Sequence, residues 1–175
     1  MSSRREVSSP GCRPAEGKKE RLPFHIVLVE PEIAANAGNI ARTCACTGMH
    51  LHLVHPLGFS TDDRMLKRAG LDYWHQVTVE YHNSFDELFA SRPGARWFFA
   101  ATQGAVNYSR VSYRVGDYLV FGKETHGLPD DILDNYPGTI IRVPMKPGSR
   151  SLNLANTVAI VAYEALRQNG FPGLT

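Results

Sequence analysis

The sequence predicts one α/β domain built on a mostly parallel sheet with helices on both faces. Three observations predict it. Six short apolar, β-branched runs alternate with helical segments, the pattern of βαβ units. Strands buried on both faces read as apolar runs of this kind. Three of the runs open into small, polar or glycine-bearing loops, at the strand ends where such folds bind ligands.

In chain order, Phe24–Val29 (FHIVLV) reads as the first strand, stopped by Glu30-Pro31. Asn36 to Gly48 reads as a helix with Gly48 as its C-terminal stop. Leu51–Val54 is strand-like and ends at Pro56, Asp62–Ala69 is a short polar helix, and Gln76–Tyr81 is the third strand. Ser84–Ala90 is a helix with Ser84 as N-cap. Trp97–Ala101, Tyr118–Phe121 and Ile140–Val143 supply the remaining strands, with a short helix at Pro129–Asn135 before the last. The final helix, Leu152–Gln168, is apolar around most of its circumference but carries Asn153 and Asn156 in its first turns. A buried amide left unpaired costs about 1–3 kcal/mol. These carboxamides must therefore be bonded to the chain itself or aimed at something bound.

The 175 residues suffice for one domain with a substantial core, and a 43% hydrophobic share with 21% charge is an ordinary globular composition. No apolar run is long enough for a membrane span, and the first 23 residues contain no signal-type apolar region. Net charge is +2 but unevenly placed: residues 1–22 hold six Lys/Arg against three Glu. Residues 1–22 read as a disordered basic tail and 23–175 as the domain. Such a tail either attracts nucleic acid loosely or merely solubilises. Three cysteines (Cys12, Cys44, Cys46) give no paired spacing, which fits a reducing, cytoplasmic setting. Cys44 and Cys46 read as small apolar fillers of a helix.

No G-x-G-x-x-G follows a strand and no P-loop is present, which argues against a standard dinucleotide or NTP site. Gly122-x-Glu124-x-x-Gly127 is either a turn, with Glu124 capping the next element, or part of a site. Asn39 and Arg42 share one helix face. Arg42 sits among small and apolar residues, and a partly buried arginine needs an anion. Either Glu30 or Glu32 supplies it internally, or Arg42 clamps a phosphate or carboxylate of a ligand. His50, His52 and His55 lie along one strand without a carboxylate or further histidine at a helpful spacing, so a partly exposed strand face is expected rather than a metal site.

Three segments together resemble the three motifs of the SPOUT RNA methyltransferases: EPEIAANAGNIAR (30–42), DYLVFGKETHGLP (117–129) and RVPMKPGSRSLNLAN (142–156). Within that superfamily the chain is most similar to the small tRNA ribose 2′-O-methyltransferases of the wobble cytidine or uridine, the TrmL type. The resemblance runs from about Phe24 to Pro172 and includes RAGLDY (68–73). It implies a deep C-terminal trefoil knot, a homodimer acting on a tRNA anticodon stem-loop, bound S-adenosyl-L-methionine, and no metal. By motif position, cofactor contacts fall at Ala100, Thr102, Gly122, Val143, Met145, Ser151 and Leu152. Arg42, Glu124, Ser151 and Asn153 match positions tied to catalysis or substrate, and Asn36, Arg42, Arg68, Tyr73, His126 and Arg150 are expected to face RNA. Tyr73 and Trp74 are candidates to stack a base, with core packing an equal alternative for Trp74. His126 stands where relatives often carry arginine, and Ala34-Ala35 replaces a proline-bearing stretch. A same-fold methyltransferase with another RNA target, and a non-catalytic RNA-binding module, are the competing readings.

Overall fold

The structure is a computed structural model that describes residues 24–60 and 74–175. The basic tail, the expected helix at Asp62–Ala69, Arg68 and Tyr73 lie outside the described residues. The described chain forms β1 (Phe24–Val29), α1 (Ala34–Thr47), β2 (His50–Val54), β3 (Val79–His82), α2 (Phe85–Ala90), β4 (Trp97–Ala100), β5 (Val106–Asn107), β6 (Asp117–Phe121), α3 (Asp130–Asn135), β7 (Thr139–Arg142) and α4 (Leu154–Gln168). All strand pairs are parallel, in the order β3-β2-β1-β6-β4-β7-β5, so the α/β class expected from the sequence holds.

Most elements fall where the pattern put them, and the differences have local causes. Helix α1 starts two residues early, at Ala34, because a carboxylate from another segment caps it. Helix α4 starts at Leu154 because Asn153 is its N-cap. Strand β3 starts at Val79, after a 3-10 turn at Trp74–Gln76. The two-residue edge strand β5 is too short for any periodicity to reveal. Ser84 caps α2 as expected, its Oγ accepting from Glu87 N at 3.2 Å. Gly48 ends α1 at φ 71°, a left-handed conformation that suits glycine.

The sheet is buried on both sides. On one face Ile26, Leu28, Leu51, Leu53, Leu119 and Phe121 pack against α1 and α4, which contribute Ile40, Ala41, Val158, Val161 and Ala162. On the other, Val27, Val29, Val54, Phe99 and Val120 pack against Phe85 and Leu88 of α2 and Ile132 of α3. Cys44 is a buried filler, its thiol pushed up to about 12 by burial. Trp74 packs against the first cluster, which favours its core role. Among the described residues no helix is long and apolar enough to cross a membrane.

The histidine expectation is corrected here. His52 is fully buried, and parallel register brings it beside His25, Glu80 and His82. Spacing along one strand could not reveal partners supplied by its two neighbours.

The tightest backbone approach lies after β6. A Cβ on Gly122 would stand 2.0 Å from the carbonyl carbon of Gly127 and 2.1 Å from Leu128 N. Backbone cannot yield as a flexible side chain can. Gly122→Ala is expected to lower stability by at least about 2 kcal/mol, in the upper range for overpacking. A urea-unfolding midpoint equal to that of the parent chain would show that this approach is not a constraint.

Candidate active site

A crevice of about 620 Å³ opens at the carboxyl ends of β4, β6 and β7, bordered by the start of α1. All seven positions expected to hold a cofactor line it: Ala100 and Thr102 after β4, Gly122 after β6, and Val143, Met145, Ser151 and Leu152 after β7. Asn36, Glu124, His126, Arg150 and Asn153 line it too. Gln103 and Lys123, from the polar exits of β4 and β6, and Thr157 of α4, which carried no sequence signal, complete parts of the wall.

A hydrogen-bonded relay joins three of its borders. Glu124 Oε2 accepts from Glu32 N at 2.8 Å, and its Oε1 accepts from Ile33 N at 3.2 Å and from Asn36 Nδ2 at 2.9 Å. Ile33 is the N-cap of α1 and its side chain cannot cap, so the carboxylate answers the unmet amides at the helix's positive end. Glu124 thus caps α1, over 90 residues away in sequence, rather than the element that follows it. Asn36 Oδ1 in turn accepts from Asn153 Nδ2 at 2.9 Å. Asn153 Oδ1 accepts from Ala155 N at 2.9 Å and Asn156 N at 3.3 Å, capping α4.

The question left by the carboxamides of the last helix is therefore answered for Asn153. It is bonded to the chain and lines the crevice at once. The side chain of Asn156 is exposed. Asn36, expected to face RNA, is 6% exposed with both ends of its amide bonded within the protein, which makes it a brace for the crevice wall.

The loop after β6 is pinned to the exit of β1 at two further points. Lys123 Nζ lies 2.8 Å from Glu30 Oε2, a pairing that holds the ammonium pKa up. Thr125 donates through Oγ1 and N to Glu32 Oε2, at 2.7 and 3.3 Å. Glu30 itself has φ 51°, an uncommon conformation for a non-glycine residue. Its amide donates to Val54 O at 3.0 Å, and with the ion pair that bond holds the turn. His126 is exposed at the rim, its Nδ1 2.8 Å from Thr125 Oγ1.

Arg42 departs from expectation. It lies on the exposed stripe of α1 with Asn39 and is not among the crevice-lining residues, so the expected partial burial is wrong. Helix geometry explains this: Ile40, Ala41 and Cys44 take the buried face, which turns positions 39 and 42 outward. Glu30 and Glu32, the internal partners considered for it, are engaged by the loop after β6.

The crevice offers polar and apolar contacts side by side. Thr102, Ser151 and Asn153 bring hydroxyl and amide groups, and Val143, Met145 and Leu152 bring apolar surface. Its volume lies within the range of about 300–1,000 Å³ usual for cofactor-sized ligands. This donor set and the close backbone at Gly122 suit a nucleoside-bearing ligand with an amino-acid end.

The chain is 51% identical over 151 residues to the tRNA (cytidine(34)-2′-O)-methyltransferase of Escherichia coli strain K12, covering 86% of this chain and 96% of that protein. It is 48% identical to the enzyme of the same name from Methylovorus glucosotrophus, covering 86% and 98%. A solved structure reported as "Structural insights into the 2-OH methylation of C/U34 on tRNA" is 46% identical, with a TM-score of 0.79, covering 84% of this chain and 96% of that one. The SpoU methyltransferase AviRb from Streptomyces viridochromogenes, solved with AdoMet, shares the fold at 21% identity with a TM-score of 0.72, covering 86% and 62%. The model of the SpoU rRNA methylase family matches residues 23–163. Crevice, topology and sequence agree, and the chain belongs to the SpoU methylase family.

Proposed function

We propose that residues 23–175 form an S-adenosyl-L-methionine-dependent tRNA ribose 2′-O-methyltransferase acting on the wobble cytidine or uridine of the anticodon stem-loop. The observation that carries this reading is the crevice that gathers all seven expected cofactor positions beside the Glu124–Asn36–Asn153 relay. The relatives' names supply the substrate.

S-adenosyl-L-methionine, when bound, supplies an electrophilic methyl group on a sulfonium. Gly122 and Thr102 offer backbone to its nucleoside, and Val143, Met145 and Leu152 exclude water from it. Ser151 stands at the same wall with its hydroxyl available to substrate or cofactor. Methyl transfer needs in-line approach of the ribose 2′-oxygen, so holding the loops still supplies much of the rate enhancement. Glu124 and Asn153 act as positioning residues in that sense.

Arg42 stays protonated and cannot serve as a base. It holds a substrate phosphate and stabilises the developing alkoxide, while the phosphate or water takes the 2′-hydroxyl proton. Arg150 and His126 at the rim extend the RNA-facing surface, and Arg68 and Tyr73 are further RNA contacts in this reading. The reaction draws on no metal at the crevice, whose polar lining is dominated by amides and hydroxyls. The loops after β6 and β7 form a deep trefoil knot in this reading. Exposed Ile160 and Tyr163 on α4 make a homodimer face. An α1 cation turned away from its own crevice then serves RNA across the assembled surface. The setting is cytoplasmic, with the tRNA pool.

Ribose methylation mapped across tRNA, with and without purified protein and methyl donor, should show gain at the wobble nucleotide alone. Methylation elsewhere, or none, would overturn the reading. Arg42→Ala should lower kcat/KM by about 100-fold or more, the scale for a lost oxyanion donor. Arg42→Lys keeps the charge but loses the fork, and near-normal turnover in it would refute the clamp.

If Glu124 and Asn153 act as one unit through Asn36, the variants Glu124→Ala and Asn153→Ala should be non-additive. A double-mutant cycle on unfolding free energy should give a coupling of about 0.5–3 kcal/mol. Strict additivity would mean that the relay carries no energy.

A further inference from the structure

At the amino-terminal ends of β1 and β2, the opposite end of the sheet from the crevice, His25, His50 and His52 bring one ring nitrogen each to within 4.8 Å of one another. His25 and His50 are register partners. We propose that these three imidazoles bind a divalent transition-metal ion of the zinc class, with water in the fourth position.

The geometry is close to what coordination requires. His25 Nδ1 and His52 Nε2 are 2.9 Å apart. Two nitrogens on one tetrahedral zinc, each at about 2.0–2.1 Å from the ion, stand roughly 3.3 Å from each other. A metal-free alternative exists, a hydrogen-bonded chain from His25 through His52 to His82, whose Nε2 lies 3.1 Å from His52 Nδ1. That chain leaves one atom over. His50 Nδ1 is buried and has no hydrogen-bond partner among the described residues, the nearest carboxylate oxygen being Glu80 Oε1 at 3.8 Å. Coordination gives the third imidazole a use.

The surroundings also match a ligand set. Ligating histidines hold their second nitrogen on an outer partner that fixes the tautomer. His82 does this for His52, leaving Nε2 of His52 free to face the ion.

A second grouping, His52 with Glu80 and His82, shares His52 and so competes with the first. Its Glu80 carboxylate is already held by Arg92 Nη2 at 2.7 Å. The all-imidazole side is therefore the one that takes the ion. Arg92 also donates to Tyr118 Oη at 3.0 Å, and its positive charge is offset by Glu80. From His25 to the crevice end of β1 is four residues, about 13 Å at a strand's rise. The ion would therefore take no part in chemistry at the crevice, and would tie β2 to β1.

The test uses the full chain, freed of metal by chelation and titrated with Co(II) and with Zn(II). One ion per chain is expected, with a visible d–d band for Co(II) and no thiolate charge-transfer band. The side chain of His50 is 15% exposed. His50→Gln should weaken binding at least about tenfold, the lower bound even for an outer-sphere partner. Zn(II) should raise the thermal midpoint of the parent but not of the His25→Gln/His50→Gln double variant. His55→Gln, an exposed control just past β2, should bind as the parent does. Sub-stoichiometric binding, a thiolate band, or undiminished affinity in His50→Gln would overturn the proposal. If the double variant fails to fold by circular dichroism, the parent's cobalt spectrum and the single variant still decide.

Discussion

The crevice depends on one carboxylate. Glu124 sits on a loop whose shape is set by a glycine contact, and its two oxygens accept from the amides of Glu32 and Ile33 at the entry to α1. A helix start with no capping side chain of its own has an unmet positive end, and here the charge arrives from a distant loop. Asn36 extends the arrangement by accepting from Asn153, which caps α4. Two helix N-termini and a loop are thereby fixed to one another around a space none of them encloses alone.

Both cores serve this geometry. α1 and α4 pack together on one face of the sheet, so their N-termini point to the same rim. The other face, with α2 and α3, holds β6 and β4 in place from behind. The two ends of the sheet then differ in chemistry. The carboxyl end presents amides, hydroxyls and open space, and the amino end presents clustered imidazoles, His52 fully buried among them. A reactive crevice and a stiffening cluster can occupy one small domain without competing for residues.

Much of this was legible in the chain. The strand runs, the Gly48 stop and the Ser84 cap follow from local rules that read a few residues at a time. The polar exits of β4, β6 and β7 marked the crevice because small residues there had no core role to explain them. What could not be read was contact between segments far apart. Nothing near Glu124 announces that its partners are Glu32, Ile33 and Asn36. His52 reads as one of three histidines on a strand until register supplies His25 and His82. Arg42 is exposed because small neighbours in sequence do not make a buried neighbourhood when the helix turns them to the other side.

The sequence separations within the relay bear on how the protein comes to exist. Asn36 lies 88 residues before Glu124 and 117 before Asn153. Contacts of such separation carry a large closure entropy and form late. During synthesis α1 leaves the ribosome with an uncapped start, and must wait for the loop after β6 before that start is answered. The crevice is therefore assembled only after the segment that carries Asn153 has been made. A fragment that stops before Asn153 would present β1 and α1 without the relay, so the capacity to hold a ligand marks the arrival of the last helix.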